Sequence, residues 1–304
     1  DLFMNTQMLD RMKTGKGFVA ALDQSGGSTP KALKLYGVDE SKYSSESEMF
    51  DLIHAMRTRM ITSSVFTSDR ILAVILFEMT MKRQIDGMGS AEYLWQKKGI
   101  VPFLKTDNGL AEEVDGVQLL KPIPQLEERV STGLSHGVFG TKMRSVIKDF
   151  NERGIEQNVV QQFEMGKVVL KGGMVPIIEP EVDINSPHKA KCEELLRVNI
   201  LTQLDSLGAD QQVMLKLTLP TEANLYEDLT NHPKIVRVVA LSGGYTREHA
   251  NELLSKNRGM IASFSRALAE GLSADQSDVE FDKVLNDSIE SIYEASTSKN
   301  KSDH

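Results

Sequence analysis

Val213-Met214-Leu215-Lys216-Leu217-Thr218-Leu219-Pro220 is a continuous apolar run with one ammonium near its centre. A short apolar run closed by proline reads as a strand buried on both faces, the habit of a parallel sheet covered by helices. Lys216 is out of place in such a strand. An unpaired buried ammonium is costly, so the side chain must either reach water along its alkyl stem or give up its charge. Desolvation favours the neutral amine, which is the form that attacks carbonyl carbon. Taken alone, the lysine is better explained as a strand-end residue that reaches solvent. The rest of the chain decides between the two.

Outward from this run the same rhythm repeats. Short apolar, β-branched stretches at 17–22, 71–77, 100–104, 138–144, 174–182, 213–219, 235–241 and 260–265 each end in polar residues. Helical periodicity fills most of the intervals, as at 46–60, 155–170, 188–207 and 247–256. Eight strands alternating with helices predict an α/β fold, a (β/α)8 TIM barrel. An extra N-terminal helix at 4–13 and a C-terminal helix at 279–296 flank it. The rival, a doubly wound open sheet, calls for a GxGxxG turn after the first strand, and Gln24-Ser25-Gly26-Gly27-Ser28 is not one. No Pro/Gly/Ser-rich linker divides the chain, so 1–304 reads as a single barrel domain with a flexible tail at 297–304.

Composition narrows the function. The 304 residues carry 43 acids and 35 bases, a net charge of −8, which disfavours nucleic acid as a partner. There is no apolar stretch of spanning length and no basic patch leading into an apolar core, so neither a membrane span nor a secretory signal is expected. The single Cys192 lies in a helical pattern and fits a reducing, cytoplasmic setting. The six histidines show neither HxH nor HxxxH spacing, and no metal site is expected. Apolar helix faces leave a homo-oligomer open.

Barrel active sites gather at the C-terminal ends of the strands. Those ends offer Asp23, Lys105 with Asp107, Lys142 with Arg144, Glu179 with Glu181, Lys216, Ser242-Gly243-Gly244 and Ser265-Arg266. Alternation puts Lys142 and Arg144 on one face of their strand, and Glu179 and Glu181 on one face of the next. Convergent ionisable groups of this kind mark a site more often than they fill a core. Burial and a nearby cation such as Lys142 would both favour a neutral Lys216 amine. Glu179, one strand away, is placed to shuttle protons. Glu181 is expected to hold Lys216 or Lys142 in position. Asp23, across the mouth, is expected to take a proton from a substrate hydroxyl and so start carbon–carbon cleavage. After the seventh and eighth strands, Ser242-Gly243-Gly244 and Ser265-Arg266 suit phosphate through loop N–H groups and a guanidinium. A second such site at Gln24 to Pro30 competes with an ordinary helix start, with Thr29 as N-cap and Pro30 at N1.

These residues fall into seven segments that together resemble the class I (Schiff-base) fructose-1,6-bisphosphate aldolases, closest to the bacterial branch. They are the 15–28 stretch with Leu22-Asp23-Gln24-Ser25, Pro102-Phe103-Leu104-Lys105-Thr106-Asp107, Gly140-Thr141-Lys142-Met143-Arg144, Pro176-Ile177-Ile178-Glu179-Pro180-Glu181, Met214-Leu215-Lys216, Leu241-Ser242-Gly243-Gly244 and Phe264-Ser265-Arg266-Ala267-Leu268. The resemblance implies that Lys216 forms an imine with a ketose phosphate and that Glu179 acts as acid/base. It implies that Lys142, Glu181 and Asp23 complete the catalytic set. Ser242, Gly243 and Arg266 would hold the phosphate beside the ketone, with Gly244 and Ser265 in the same loops. Ser25, Ser28, Lys105 and Arg144 would lie toward the far phosphate.

No cofactor or metal is implied, since the protonated imine is the electron sink. The implied partner is a small sugar phosphate, and the implied reaction is reversible cleavage of fructose 1,6-bisphosphate in glycolysis and gluconeogenesis. A stereoisomer such as tagatose 1,6-bisphosphate, or a catalytically silent barrel used for binding or adhesion, stays open. Two departures stand out. Animal members end in a tyrosine that assists proton exchange, whereas this sequence ends Lys299-Asn300-Lys301-Ser302-Asp303-His304, leaving that step to Tyr293, another group or solvent. Asp23-Gln24 also stands where the animal enzymes have Asp-Glu.

Overall fold

The computed structural model describes residues 2–25 and 27–299. Eight parallel strands form its centre: β1 (Phe18–Leu22), β2 (Ile71–Leu76), β3 (Val101–Lys105), β4 (Gly140–Ile147), β5 (Val175–Val182), β6 (Val213–Thr218), β7 (Ile235–Leu241) and β8 (Met260–Phe264). Each pairs with its sequence neighbours, and β8 pairs with β1, so the sheet closes into a (β/α)8 barrel.

Strand parity explains how one sequence builds both core and site. Residues of one parity face the helices: Ala20, Val74, Leu104, Met143, Ile178, Leu215, Ala240 and Phe264 belong to the outer apolar layer. Residues of the other parity, among them Ala21, Ile75, Phe103, Ile177, Met214, Val239 and Ile261, fill the barrel interior. One alternation further along the same face come Asp23, Lys105, Glu179, Lys216 and Ser263. The interior therefore changes from apolar to ionic along the barrel axis.

The N-terminal helix (Leu2–Thr14) seals the apolar end. Met8 and Met12 pack into the interior cluster. Arg11 donates to the carbonyls of Ser68 and Ile71, and Arg237 donates to those of Met12 and Lys13. The last helix (Asp278–Thr297) starts in a Ser277/Glu280 capping box and packs on β8 and the Arg247–Ser255 helix. Among the described residues no helix is long and apolar enough to cross a membrane.

The structure departs from the sequence reading in several places. β4 starts two residues later than expected and runs on to Ile147, so Lys142 and Arg144 lie within the strand rather than at its end. An antiparallel hairpin, Leu110–Val114 with Val117–Leu120, is added to the outer edge of β4, with Val117 opposite Ile147. That extra partner sustains β4 past the point where Ser145 breaks the apolar run. Further helices at Ser90–Lys98 and Leu126–Ser135 fill two more of the intervals between strands. The chain is held beyond the expected start of the tail. Thr297 is helical, and Lys299 Nζ donates to the carbonyls of Leu254, Met260 and Ala295 at 3.2, 2.8 and 2.9 Å. The rest of that segment, 300–304, lies outside the described residues, as does Gly26.

Candidate active site

A cavity of about 740 Å3 opens at the C-terminal mouth of the barrel. Its floor is the ionic layer. Lys216, on β6, is 5% exposed and forms no ion pair within 4.0 Å among the described residues. Lys142, on β4, sits between two acids: its Nζ lies 2.7 Å from Asp23 Oδ2 and 3.0 Å from Glu179 Oε1. The Glu179 contact is not aligned as a hydrogen bond, which leaves Oε1 without a hydrogen-bonding partner. Glu181 does not hold either lysine as expected, because Arg144 Nη2 engages its Oε2 at 2.6 Å. The reason lies in the pleat. Arg144 stands directly opposite Glu179 in the ladder, and its longer side chain reaches outward to the next acid.

The two lysines have opposite electrostatics. Burial lowers the pKa of Lys216 first, and Lys142 lowers it further, against the pull of Glu179, Asp23 and Glu181. Burial also disfavours the Lys142 ammonium, but Asp23 and then Glu179 outweigh it and hold that side chain protonated. Burial works against the Asp23 carboxylate too. Lys142, Lys216 and Lys105 prevail, keeping its pKa well below the ordinary range. Glu181 is pushed up by burial, with Arg144 opposing and Glu179 adding to the rise. The floor thus holds an amine poised to lose its proton, a fixed ammonium and a fixed carboxylate.

The rim carries the candidate phosphate-binding groups. Gly243 and Gly244 have φ of 63° and 110°, and a Cβ on Gly243 would lie 2.9 Å from Ile184 Cγ2, so both conformation and space require glycine there. Ser242, Gly243 and Gly244 lead into the Arg247–Ser255 helix, capped by Thr246 Oγ1 accepting from His249 N. Ser265 and the exposed Arg266 face the same cavity from the end of β8. On the opposite rim Lys105 Nζ donates to Ser25 Oγ at 2.7 Å and lies 3.7 Å from Asp107 Oδ1. Asp107 also accepts from Arg144 N. Ser28, not Thr29, is the N-cap of the Thr29–Leu35 helix. Its hydroxyl is tied to the Ser25 backbone rather than to the first helical N–H groups. The candidates from the sequence line the cavity except Ser25 and Asp107, which contact Lys105 and, for Asp107, Arg144.

Other groups at the mouth were not singled out. Lys148 continues the inward face of β4 and pairs with Asp183 at 3.5 Å, making a third rung above Lys142–Glu179 and Arg144–Glu181. It shares the even-numbered parity of Lys142 and Arg144, but the apolar run in the sequence ends at Arg144, before the strand does. Ser263 lines the cavity with a buried hydroxyl that has no hydrogen-bonding partner among the described residues. Arg57, fully buried in the Glu46–Thr62 helix, bonds the carbonyl and side chain of Gln24 and the hydroxyl of Thr80. Gln24 Nε2 in turn donates to Ser265 Oγ and so joins the two rims. Nothing in the local sequence separates Arg57 from its solvent-facing neighbours on the same helix.

A closed barrel whose mouth sets a buried amine without an ion pair among carboxyl groups, between two rims of candidate phosphate ligands, has the architecture of a Schiff-base lyase. The sequence profile of the family described as Fructose-bisphosphate aldolase class-I matches residues 4–227, and the chain belongs to that family. Among solved structures it is similar to the fructose-bisphosphate aldolase of Plasmodium falciparum in ternary complex with TRAP and a small-molecule inhibitor. The identity is 20% over 98% of this chain and 95% of that one, with a TM-score of 0.78. A Corynebacterium glutamicum structure matches more distantly, at 13% identity, 96% and 92% coverage and a TM-score of 0.56. At these identities the likeness supports the barrel fold.

Proposed function

We propose that this aldolase reversibly cleaves D-fructose 1,6-bisphosphate to dihydroxyacetone phosphate and D-glyceraldehyde 3-phosphate, as a glycolytic and gluconeogenic lyase. The observation that carries the reading is Lys216: buried, without an ion pair, its pKa lowered, and flanked by β5, which carries Glu179, and β7, which leads into the Ser242–Gly244 loop. The neutral Nζ adds to the C2 carbonyl. Glu179 protonates the departing hydroxyl, water leaves, and a protonated imine remains. Asp23, held as a carboxylate, takes the proton of the C4 hydroxyl. The C3–C4 bond breaks, its electrons pass into the iminium to give an enamine, and the aldehyde departs. Protonation at C3 and hydrolysis release dihydroxyacetone phosphate and regenerate the amine.

Lys142 supports this as a fixed cation that discourages protonation of Lys216 and holds Asp23 and Glu179 in place. Glu181 anchors Arg144 at the rim. Ser242, Gly243, Gly244, Ser265 and Arg266 take the phosphate beside the ketone, and Ser25, Ser28, Lys105 and Arg144 take the far one. The iminium is the electron sink, so the reaction needs no metal or other cofactor. Borohydride added with dihydroxyacetone phosphate is expected to leave a reduced adduct on Lys216, located by peptide mass analysis. Cleavage of the fructose bisphosphate is expected to survive EDTA. An unlabelled protein sinks the imine mechanism and leaves the barrel as a binding protein. Faster cleavage of tagatose 1,6-bisphosphate would reassign the sugar.

A further inference from the structure

The strand that carries Lys216 is fastened just beyond the amine by a buried ion pair that no catalytic step uses. Lys189 and Glu193 sit one turn apart at the start of the Lys189–Leu204 helix, which follows β5. Lys189 Nζ lies 3.0 Å from Glu193 Oε2 and donates to Leu219 O at 2.8 Å and Thr221 Oγ1 at 3.1 Å. Glu193 Oε1 accepts from Thr221 N at 3.0 Å. One ammonium and one carboxylate therefore bind the backbone or side chain of two residues in the segment that leaves β6. Inside that clamp, Thr218 Oγ1 both accepts from Val182 N and donates to Val182 O, tying β6 to the strand of Glu179 and Glu181.

Glu193 is 0% exposed. A buried ion pair is often no more stabilising than an apolar pair of similar volume, because desolvation offsets the Coulomb gain. Stability alone therefore gives little reason for charges here, in a setting that includes Cys192, Leu196 and Tyr226. What an apolar pair could not do is bind Leu219 O and Thr221 N. Those bonds anchor the segment just beyond the end of β6, three to five residues past the amine.

We propose that Lys189 and Glu193 are positioning residues that hold the Lys216 amine in reach of the acids on β5. This rests on Lys216 forming the imine. The double variant Lys189→Met with Glu193→Leu removes both charges at once and leaves no orphaned ion, so its Tm is expected to stay near that of the wild type. Its kcat is expected to fall about tenfold or more with KM within about twofold, because misplacing a reacting group slows chemistry without weakening phosphate binding. Borohydride trapping on Lys216 should slow by the same factor. Glu193→Gln keeps an acceptor for Thr221 N and is expected to recover part of that loss.

A folded double variant with wild-type kcat and trapping rate overturns the proposal and leaves the imine mechanism standing. If the double variant does not fold, Glu193→Gln decides: a kcat below that of the wild type at unchanged KM supports the role, and an unchanged kcat overturns it. Absence of label on Lys216 in the wild type overturns both the mechanism and this role.

Discussion

Lys216 and Lys142 stand on strands two apart in one barrel floor, yet their surroundings shift their pKa values in opposite directions. Lys142 is bracketed by Asp23 and Glu179, while Lys216 is left without an ion pair. The consequence for stability has a definite sign. A lysine whose folded pKa lies below its unfolded value of 10.5 binds fewer protons in the folded state between those two values, so stability rises with pH across that window. Replacing Lys216 by Met removes the penalty. The variant is expected to unfold at a higher temperature than the wild type at about pH 6, and its advantage should shrink by about pH 10. An advantage that grows with pH would show that Lys216 is stabilised as the ammonium. Asp23 is shifted the other way, held ionised, which suits a base that acts after the imine has formed. Asp23→Asn is therefore expected to lose cleavage by about 10²- to 10⁴-fold, the range for general-base catalysis, while still being trapped on Lys216 by borohydride. Equal loss of trapping and cleavage would place Asp23 in imine formation instead.

At the scale of elements, β4 and β5 do the most to build the site. They run in register over eight residues, from Gly140 opposite Val175 to Ile147 opposite Val182, and carry two rungs of opposite charge, with a third, Lys148–Asp183, one residue past their ends. Their approach at the barrel base depends on Gly140. A Cβ there would lie 2.3 Å from Val175 O and 2.6 Å from Phe103 Cε1. Gly140→Ala is expected to cost about 1–3 kcal/mol, the usual cost of overpacking, and to lower kcat by displacing Lys142 two residues on. A variant with the wild-type melting temperature and kcat would show that β4 can shift freely. The strands and their inward parity were legible because unbroken apolar runs and a period of two survive in a buried sheet. The upper half of β4 was not, since it depends on the added hairpin, whose Leu110–Val114 strand is mostly exposed and has no apolar pattern of its own. Site residues borne by strands were legible for the same reason the strands were. Arg57, Lys189 and Glu193 act from helices, where charges are the rule and only the fold shows which are buried.

For the whole molecule, charge is distributed against the average. The chain carries −8 overall, yet the residues lining the mouth include seven basic side chains and five acidic ones. Four of those acids, Asp23, Glu179, Glu181 and Asp183, are already engaged by Lys142, Arg144 or Lys148. Lys31 and Arg266, with Lys105 shared between Asp107 and Ser25, remain as a positive field at the end of the barrel opposite the N-terminal helix. A cleft with low-dielectric walls concentrates such a field and draws in anions from an otherwise repulsive surface, an effect that salt screens over about 10 Å at 0.1 M. With the proposed bisphosphate as substrate, the step that should respond is its capture, not the chemistry on the shielded floor. Raising the salt from roughly 50 to 200 mM is expected to raise KM for the bisphosphate about two- to fivefold and to leave kcat unchanged. Fructose 1-phosphate, with one phosphate fewer, should show a smaller rise. Equal salt dependence for the two sugars would mean that the far rim contributes nothing to capture, and that Lys31 and Lys105 are solvated charges rather than part of the site.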